Sequence, residues 1–75
     1  MELTKPQIKK ILSKNLRNLR KERGVTQKEI ANYLQIDRST YTCYETCKAE
    51  PSIFILKKLS LFYNVDIQVL LKGIF

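Results

Sequence analysis

The sequence contains no histidine and no tryptophan, and only two of its 75 residues are cysteines, Cys43 and Cys47. Without histidine, the chain lacks the commonest general base and the commonest metal ligand. Two thiols alone cannot supply the full set of nitrogen or sulfur ligands that a structural zinc site needs within one chain. We therefore expect no enzyme, no metal site and no cofactor.

Glycine and proline are equally scarce, with two residues of each. Such sparse turn residues favour helices over a succession of short strands. No stretch of the sequence is long and apolar enough to span a bilayer, and the first residues, MELTKPQIKK, lack the apolar segment of a secretion signal. We expect a cytoplasmic protein with no membrane contact and with both thiols reduced.

Positive charge is in excess, because 14 lysines and arginines face 7 acidic residues and give a net charge of +7. A domain this basic favours a polyanionic partner, nucleic acid first, with a membrane surface or an acidic protein as alternatives. Basic residues are concentrated in the first 24 positions, where they would add non-specific attraction to phosphates. They are Lys5, Lys9, Lys10, Lys14, Arg17, Arg20, Lys21 and Arg23.

Apolar residues recur at helical spacing in five segments, and a typical N-cap residue precedes each segment. The predicted N-caps are Thr4, Thr26, Asp37, Ser52 and Asp66. Gly24, Asn64 and Gly73 are suited to the left-handed conformation that ends helices. The sequence therefore predicts a single all-α domain over residues 1–75, a compact five-helix bundle.

Two of these helices, at about 26–34 and 37–46, are separated by only two or three residues. Such a tight connection sets two helices at a steep angle, which is the geometry of a helix-turn-helix over about residues 26–46. The second helix begins with small and polar residues that suit base edges. Its tyrosines, Tyr41 and Tyr44, are three residues apart and are expected to face the core.

Four motifs extend this pattern along the chain. They are Thr26-Gln27-x-x-Ile30-Ala31-x-x-Leu34, Asp37-Arg38-Ser39-Thr40-Tyr41, Glu45-x-x-Lys48-x-x-Pro51-Ser52, and Asn64-Val65-Asp66 followed by Leu70-Leu71. With these spacings the sequence resembles the Cro/C1-type helix-turn-helix family (XRE family) of phage repressors and bacterial regulators. The resemblance implies a lambda-repressor-like fold and a sequence-specific DNA-binding transcription regulator, expected to be a repressor.

The resemblance also implies a role for particular positions. Helix 37–46 would enter the major groove and contact bases through Arg38, Ser39, Thr42 and Cys43. The DNA backbone would be contacted by Thr26, Gln27, Thr46 and Lys48. The family often pairs the positions of Arg20 and Glu45 in a partly buried salt bridge, which would hold the recognition helix in place.

Three positions depart from the family pattern. Gln35 and Cys47 stand where the family usually has glycine, so we expect either strained left-handed backbone there or an altered turn, with a longer recognition helix in the case of Cys47. Ser60 replaces the usual alanine of the fourth helix. Cys43 and Cys47 would be one helical turn apart, a poor geometry for a disulfide, and a thiol switch is a minor alternative.

Helix-turn-helix proteins commonly bind palindromic double-stranded operators as homodimers, and we expect the same here. The apolar end of the chain is the candidate dimer surface, with closure of the core as the alternative. Its residues are Leu70, Leu71, Ile74 and Phe75. A protein-interaction module of the same fold, antitoxin-like or an anti-regulator, is the alternative function, and a regulatory protein partner is possible in either case.

Overall fold

The helices begin after the predicted N-cap residues. The structure is a computed structural model that describes residues 2–75, and within that range it contains five helices and no strand. They are α1 (Lys5–Glu22), α2 (Gln27–Leu34), α3 (Arg38–Glu45), α4 (Ile53–Tyr63) and α5 (Ile67–Leu70). The prediction of an all-α, five-helix fold is confirmed.

The five N-caps differ in how they satisfy the helix. Thr4 and Thr26 form complete capping boxes, in which the threonine side chain accepts from the third helical residue and that residue's side chain accepts in return. Ser52 accepts a hydrogen bond of 3.2 Å from the backbone three residues on. Asp37 and Asp66 occupy the N-cap position, but the expected side-chain hydrogen bonds are absent. Their carboxylates still lie at the positive end of a helix dipole.

The first four helices end in the same way, in a residue with left-handed backbone. Gly24, Gln35, Cys47 and Asn64 have φ values of 67°, 59°, 66° and 55°. In each case the N–H of the next residue bonds the carbonyl five positions earlier, at 3.0–3.1 Å, as in a Schellman motif. The turns at Gln35 and Cys47 therefore keep the left-handed geometry without glycine, and α3 does not extend through Cys47.

One hydrophobic core lies between the helices and receives side chains from all five. Its buried members are Leu12, Leu16, Leu19, Ile30, Ala31, Leu34, Tyr41, Ile55, Leu56, Leu59, Tyr63 and Leu70. Helix α2 packs on α3, while α1 packs on both α3 and α5. Fully burying one large apolar side chain stabilises a fold by about 1.5–3 kcal/mol. Because α2 and α3 both bury side chains in this core, the core holds the two helices in their relative orientation.

Helix α1 and its C-cap residue, Arg23, also donate side-chain hydrogen bonds to the C-terminal ends of three other helices. Ser13 and Arg17 bind the last carbonyls of α3, at 2.7 and 2.8 Å. Arg23 binds the last carbonyl of α4 at 3.0 Å. Asn15 binds the last carbonyl of α5, that of Leu70, at 2.8 Å and the carbonyl of Lys72 just beyond it at 2.9 Å. These donors satisfy carbonyls that have no partner within their own helix, so α1 holds the ends of α3, α4 and α5 in place.

The apolar end of the chain closes the core. Leu70 is fully buried, and Leu71 and Ile74 pack against the core, whereas Phe75 is 94% exposed. Closure of the core, the alternative, therefore accounts for Leu70, whereas a dimer contact through Leu71, Ile74 and Phe75 stays a prediction. A small domain has few apolar side chains with which to build a core. The single turn of α5 therefore packs its apolar side against the core.

Candidate nucleic-acid interface

Helix α3 has a buried side and an open side. Tyr41 and Glu45 are buried, at 0% and 2% exposure, while Arg38 and Ser39 are exposed and Thr42 and Cys43 are half-buried. The open side lies in a shallow depression of about 480 Å³. The depression is lined by Arg38, Ser39, Thr42, Cys43, Thr46 and Lys48. All four predicted base-contacting residues and two of the predicted backbone-contacting residues thus share one surface.

Glu45 connects this surface to the rest of the fold. Its carboxylate accepts hydrogen bonds from Arg20 Nε at 2.7 Å and Arg20 Nη2 at 3.1 Å. It also accepts from Gln27 Nε2 at 3.2 Å and from the hydroxyl of Tyr41. The donors come from α1, α2 and α3, so one buried carboxylate joins the three helices that orient the open side of α3.

The ionisation of this cluster follows from its contacts. Burial tends to raise the pKa of Glu45, but the hydrogen bonds from Arg20, Tyr41 and Gln27 outweigh burial, and the pKa is lowered. The hydrogen bond to Glu45 raises the pKa of Arg20. Burial, together with the neighbouring carboxylate, raises the pKa of Tyr41. The cluster is therefore an ionised pair with a neutral phenol, and Arg20 is held inside the protein.

The start of α2 forms a second depression beside the first. It has a volume of about 520 Å³ and is lined by Arg20, Val25, Thr26, Gln27, Lys28 and Arg38. Thr26 is exposed, and its side chain is used in its capping box. The Gln27 amide bonds Glu45 and Thr42. Among the described residues, the backbone N–H groups of Gln27 and Lys28 have no acceptor in the protein, as is usual for the first turn of a helix.

Some residues that shape the surface were not identified from the sequence. Ser13 and Arg17 fix the end of α3, although Arg17 was grouped only with the basic residues of α1. The signal that could have found Arg17 is its spacing of three residues from Arg20, which places both on one face of α1. Lys28 is exposed in the second depression and was also not singled out.

The two cysteines are both free and lie in different surroundings. Cys43 is half-buried in the α3 depression. Cys47 is exposed, with Sγ 3.9 Å from the backbone oxygen of Lys9 on α1. Among residues 2–75, no group of three or more histidine, cysteine, aspartate or glutamate side chains is placed to hold a metal ion.

The order of the helices, the tight turn between α2 and α3 and the open side of α3 agree with the family that the sequence matches. The helix-turn-helix family matches residues 16–70 of this sequence. The chain belongs to the helix-turn-helix family. This membership confirms the resemblance on which the predicted roles depend.

Proteins similar in sequence are named as transcription regulators. The chain is similar to the cryptic phage CTXphi transcriptional repressor RstR of Vibrio cholerae, with 37% identity over 60 residues, which are 80% of this chain and 54% of that protein. It is also similar to the uncharacterized HTH-type transcriptional regulator YqaE of Bacillus subtilis, with 38% identity over 63 residues, 84% of this chain and 54% of that protein. The chain thus spans about half the length of these relatives.

A solved structure has a similar fold. It is a hypothetical transcription factor, NHTF, from Neisseria, with a TM-score of 0.78 and 25% sequence identity. The match covers 95% of this chain and 83% of the other. No helix in the described part of this chain is both long enough and apolar enough to cross a membrane.

Proposed function

We propose that the protein is a sequence-specific DNA-binding transcription regulator, a repressor, which inserts α3 into the major groove. The observation that carries this proposal is the single open surface on α3, where Arg38, Ser39, Thr42 and Cys43 lie together with Lys48. Its buried opposite side, anchored by Glu45, supports a fixed presentation of these side chains to base edges. Binding, without catalysis, is the whole activity proposed, and the cytoplasm is its proposed location.

Backbone phosphates would be bound on both sides of α3. The free N–H groups at the start of α2, next to Thr26 and Lys28, suit one phosphate. Because the side chain of Gln27 is held by Glu45, its contribution in this state is its backbone N–H. On the other side, Lys48 is exposed after the end of α3 and suits a second phosphate. Thr46 is exposed beside it and would bind the same phosphate by turning its hydroxyl away from the carbonyl of Thr42.

Two copies of the chain would bind a palindromic operator as a homodimer, with half-sites one helical turn apart. One α3 contacts few base pairs, and a second copy adds the selectivity that a regulator needs. A regulatory protein partner also belongs to this proposal.

Selection of bound duplexes from a random-sequence pool tests the function. We expect an enriched palindromic site whose binding survives competitor DNA and weakens steeply with salt. Arg38→Ala should weaken the enriched site selectively, whereas Lys48→Ala should weaken all sequences alike and reduce the salt slope by about one. Lys57→Ala, an exposed change on α4, is the matched control and should do neither. A pool without enrichment would instead favour the protein-interaction module.

A further inference from the structure

We propose that the α3 depression recognises the 5-methyl group of thymine, and that Thr42 makes this contact. The inference rests on the proposed function, since it takes α3 to lie in the major groove. It goes further in naming the base and the chemical group that the middle of the surface prefers. The proposal is supported by the threonine hydroxyl groups of this surface, which donate their hydrogen bonds to acceptors within the protein.

The hydroxyl of Thr42 is held from two sides. Oγ1 lies 2.9 Å from the carbonyl oxygen of Arg38 and 3.2 Å from Oε1 of Gln27. Glu45 fixes which end of the Gln27 amide faces Thr42. An ionised carboxylate only accepts, so Gln27 turns its nitrogen to Glu45 and its oxygen to Thr42. The single proton of the Thr42 hydroxyl therefore has two acceptors within the protein.

The second threonine of the depression is used in the same way. Thr46 Oγ1 donates to the backbone oxygen of Thr42 at 2.9 Å. With the hydroxyl protons directed to backbone and amide acceptors, neither threonine has a proton left to donate to an acceptor on a base edge; each can still present its methyl and accept at its oxygen. Cys43 lies between them in the sequence and lines the same surface, and a free cysteine behaves as a small apolar side chain.

Polar and charged groups come from the two ends of this segment. Arg38 and Ser39 begin α3, and Lys48 follows its last residue, Glu45. The surface thus combines charged residues at its ends with an apolar middle. Among the four bases, thymine alone presents a methyl group in the major groove; cytosine carries only a hydrogen at that position, and the purine edges there consist mainly of hydrogen-bonding groups. An apolar middle fits thymine best, because a polar edge placed against it would lose hydrogen bonds to water.

Uracil substitution within the selected DNA site tests the proposal, because uracil differs from thymine only in lacking the 5-methyl group. Each thymine of the enriched half-site is replaced in turn, and a thymine in the flanking DNA outside the enriched site is replaced as the control. At one contacted position we expect wild-type binding to weaken about threefold to fivefold, the effect of removing one buried methyl group. The control replacement should have no effect.

Two variants of Thr42 assign the effect to this residue. Thr42→Ser keeps the hydroxyl and removes the methyl, so it should bind the thymine site as weakly as wild type binds the uracil site and should no longer distinguish the two. Thr42→Val keeps a methyl and removes the hydroxyl, so it should still distinguish them. Circular dichroism and thermal unfolding check that both variants are folded.

The outcomes separate this inference from the function beneath it. An enriched site in which no thymine is sensitive to uracil overturns the inference alone. So does unchanged sensitivity in Thr42→Ser, or loss of sensitivity in Thr42→Val, which would assign the contact to the hydroxyl. If no DNA site is enriched at all, the proposed function fails and the inference fails with it.

Discussion

At the scale of single residues, Glu45 links stability to the binding surface. It is one of 7 acidic residues in the chain, and composition alone would place such a residue in solvent. The family resemblance pairs Glu45 with Arg20, and the structure contains that ion pair at 2.7 Å. It adds two further donors, Tyr41 and Gln27. Tyr41 lies four residues before Glu45 on α3, a spacing that places both on one face and could have indicated this contact. The approach of Gln27 depends on how α2 and α3 pack, which is a property of the tertiary structure.

Glu45→Gln should therefore be strongly destabilising. The change leaves the charge of Arg20 without its partner at a mostly buried position, where the side chain of Arg20 is 13% exposed. We expect a loss of about 3–5 kcal/mol in the free energy of unfolding, measured by urea denaturation. The matched control is Glu50→Gln, which breaks the exposed contact of 3.5 Å with Lys5 and should cost under about 0.5 kcal/mol. Similar losses in both variants would contradict this role of Glu45.

The pKa of Glu45 also predicts how stability depends on pH. Its folded pKa lies below the ordinary value of 4.5, so the unfolded chain binds the proton more readily. The stabilisation is present above pH 4.5 and is lost as the pH falls from there through the folded pKa. Urea denaturation between pH 7 and pH 3 should show this loss in the wild type and a shallower one in Glu45→Gln. Parallel pH profiles for the two proteins would contradict the expectation.

At the scale of elements, the helix ends show what the sequence predicts and what it leaves open. Gly24 and Asn64 were predicted to be left-handed and are. Gln35 and Cys47 had two outcomes left open, because a side chain other than glycine makes that conformation unfavourable without forbidding it. Both residues are left-handed in the structure, which keeps α2 and α3 packed in the core. The long-range donors of α1, such as Arg17, could not be predicted, since they depend on which helix ends meet α1.

Replacing Gln35 by glycine should stabilise the protein. The left-handed conformation costs a residue with a Cβ about 1–2 kcal/mol, and glycine removes this cost. Part of the resulting stabilisation is offset, because glycine has greater conformational freedom in the unfolded chain. We therefore expect Gln35→Gly to raise the free energy of unfolding by about 0.5–1 kcal/mol. Asn64→Gly is the comparison, and it should change stability less, because asparagine tolerates this conformation. A destabilised Gln35→Gly variant would show that the glutamine side chain makes a favourable contact.

At the scale of the whole molecule, the excess of positive charge is not all free for DNA. Arg20 is paired with Glu45, and Arg17 and Arg23 are bound to helix carbonyls, so three of the basic residues near the N-terminus also serve the fold. The exposed lysines on α1 make no comparable contact to a helix end, and we expect them to contribute long-range attraction to an anionic partner. Composition predicted an anionic partner for the whole chain, but it could not separate these two uses of charge.

The pairing of two copies is the remaining question at this scale, and the end of the chain provides a test. Ile74 packs on the core, so Ile74→Ser should lower the free energy of unfolding by about 1 kcal/mol, whereas Phe75→Ser, at a side chain 94% exposed, should change it by under about 0.5 kcal/mol. Because three of the four apolar residues here serve the core, we also expect Phe75→Ser to retain cooperative binding to a duplex with two half-sites. Comparison with a duplex carrying one half-site measures that cooperativity. Its loss in a variant of unchanged stability would show that Phe75 forms the contact between the two copies.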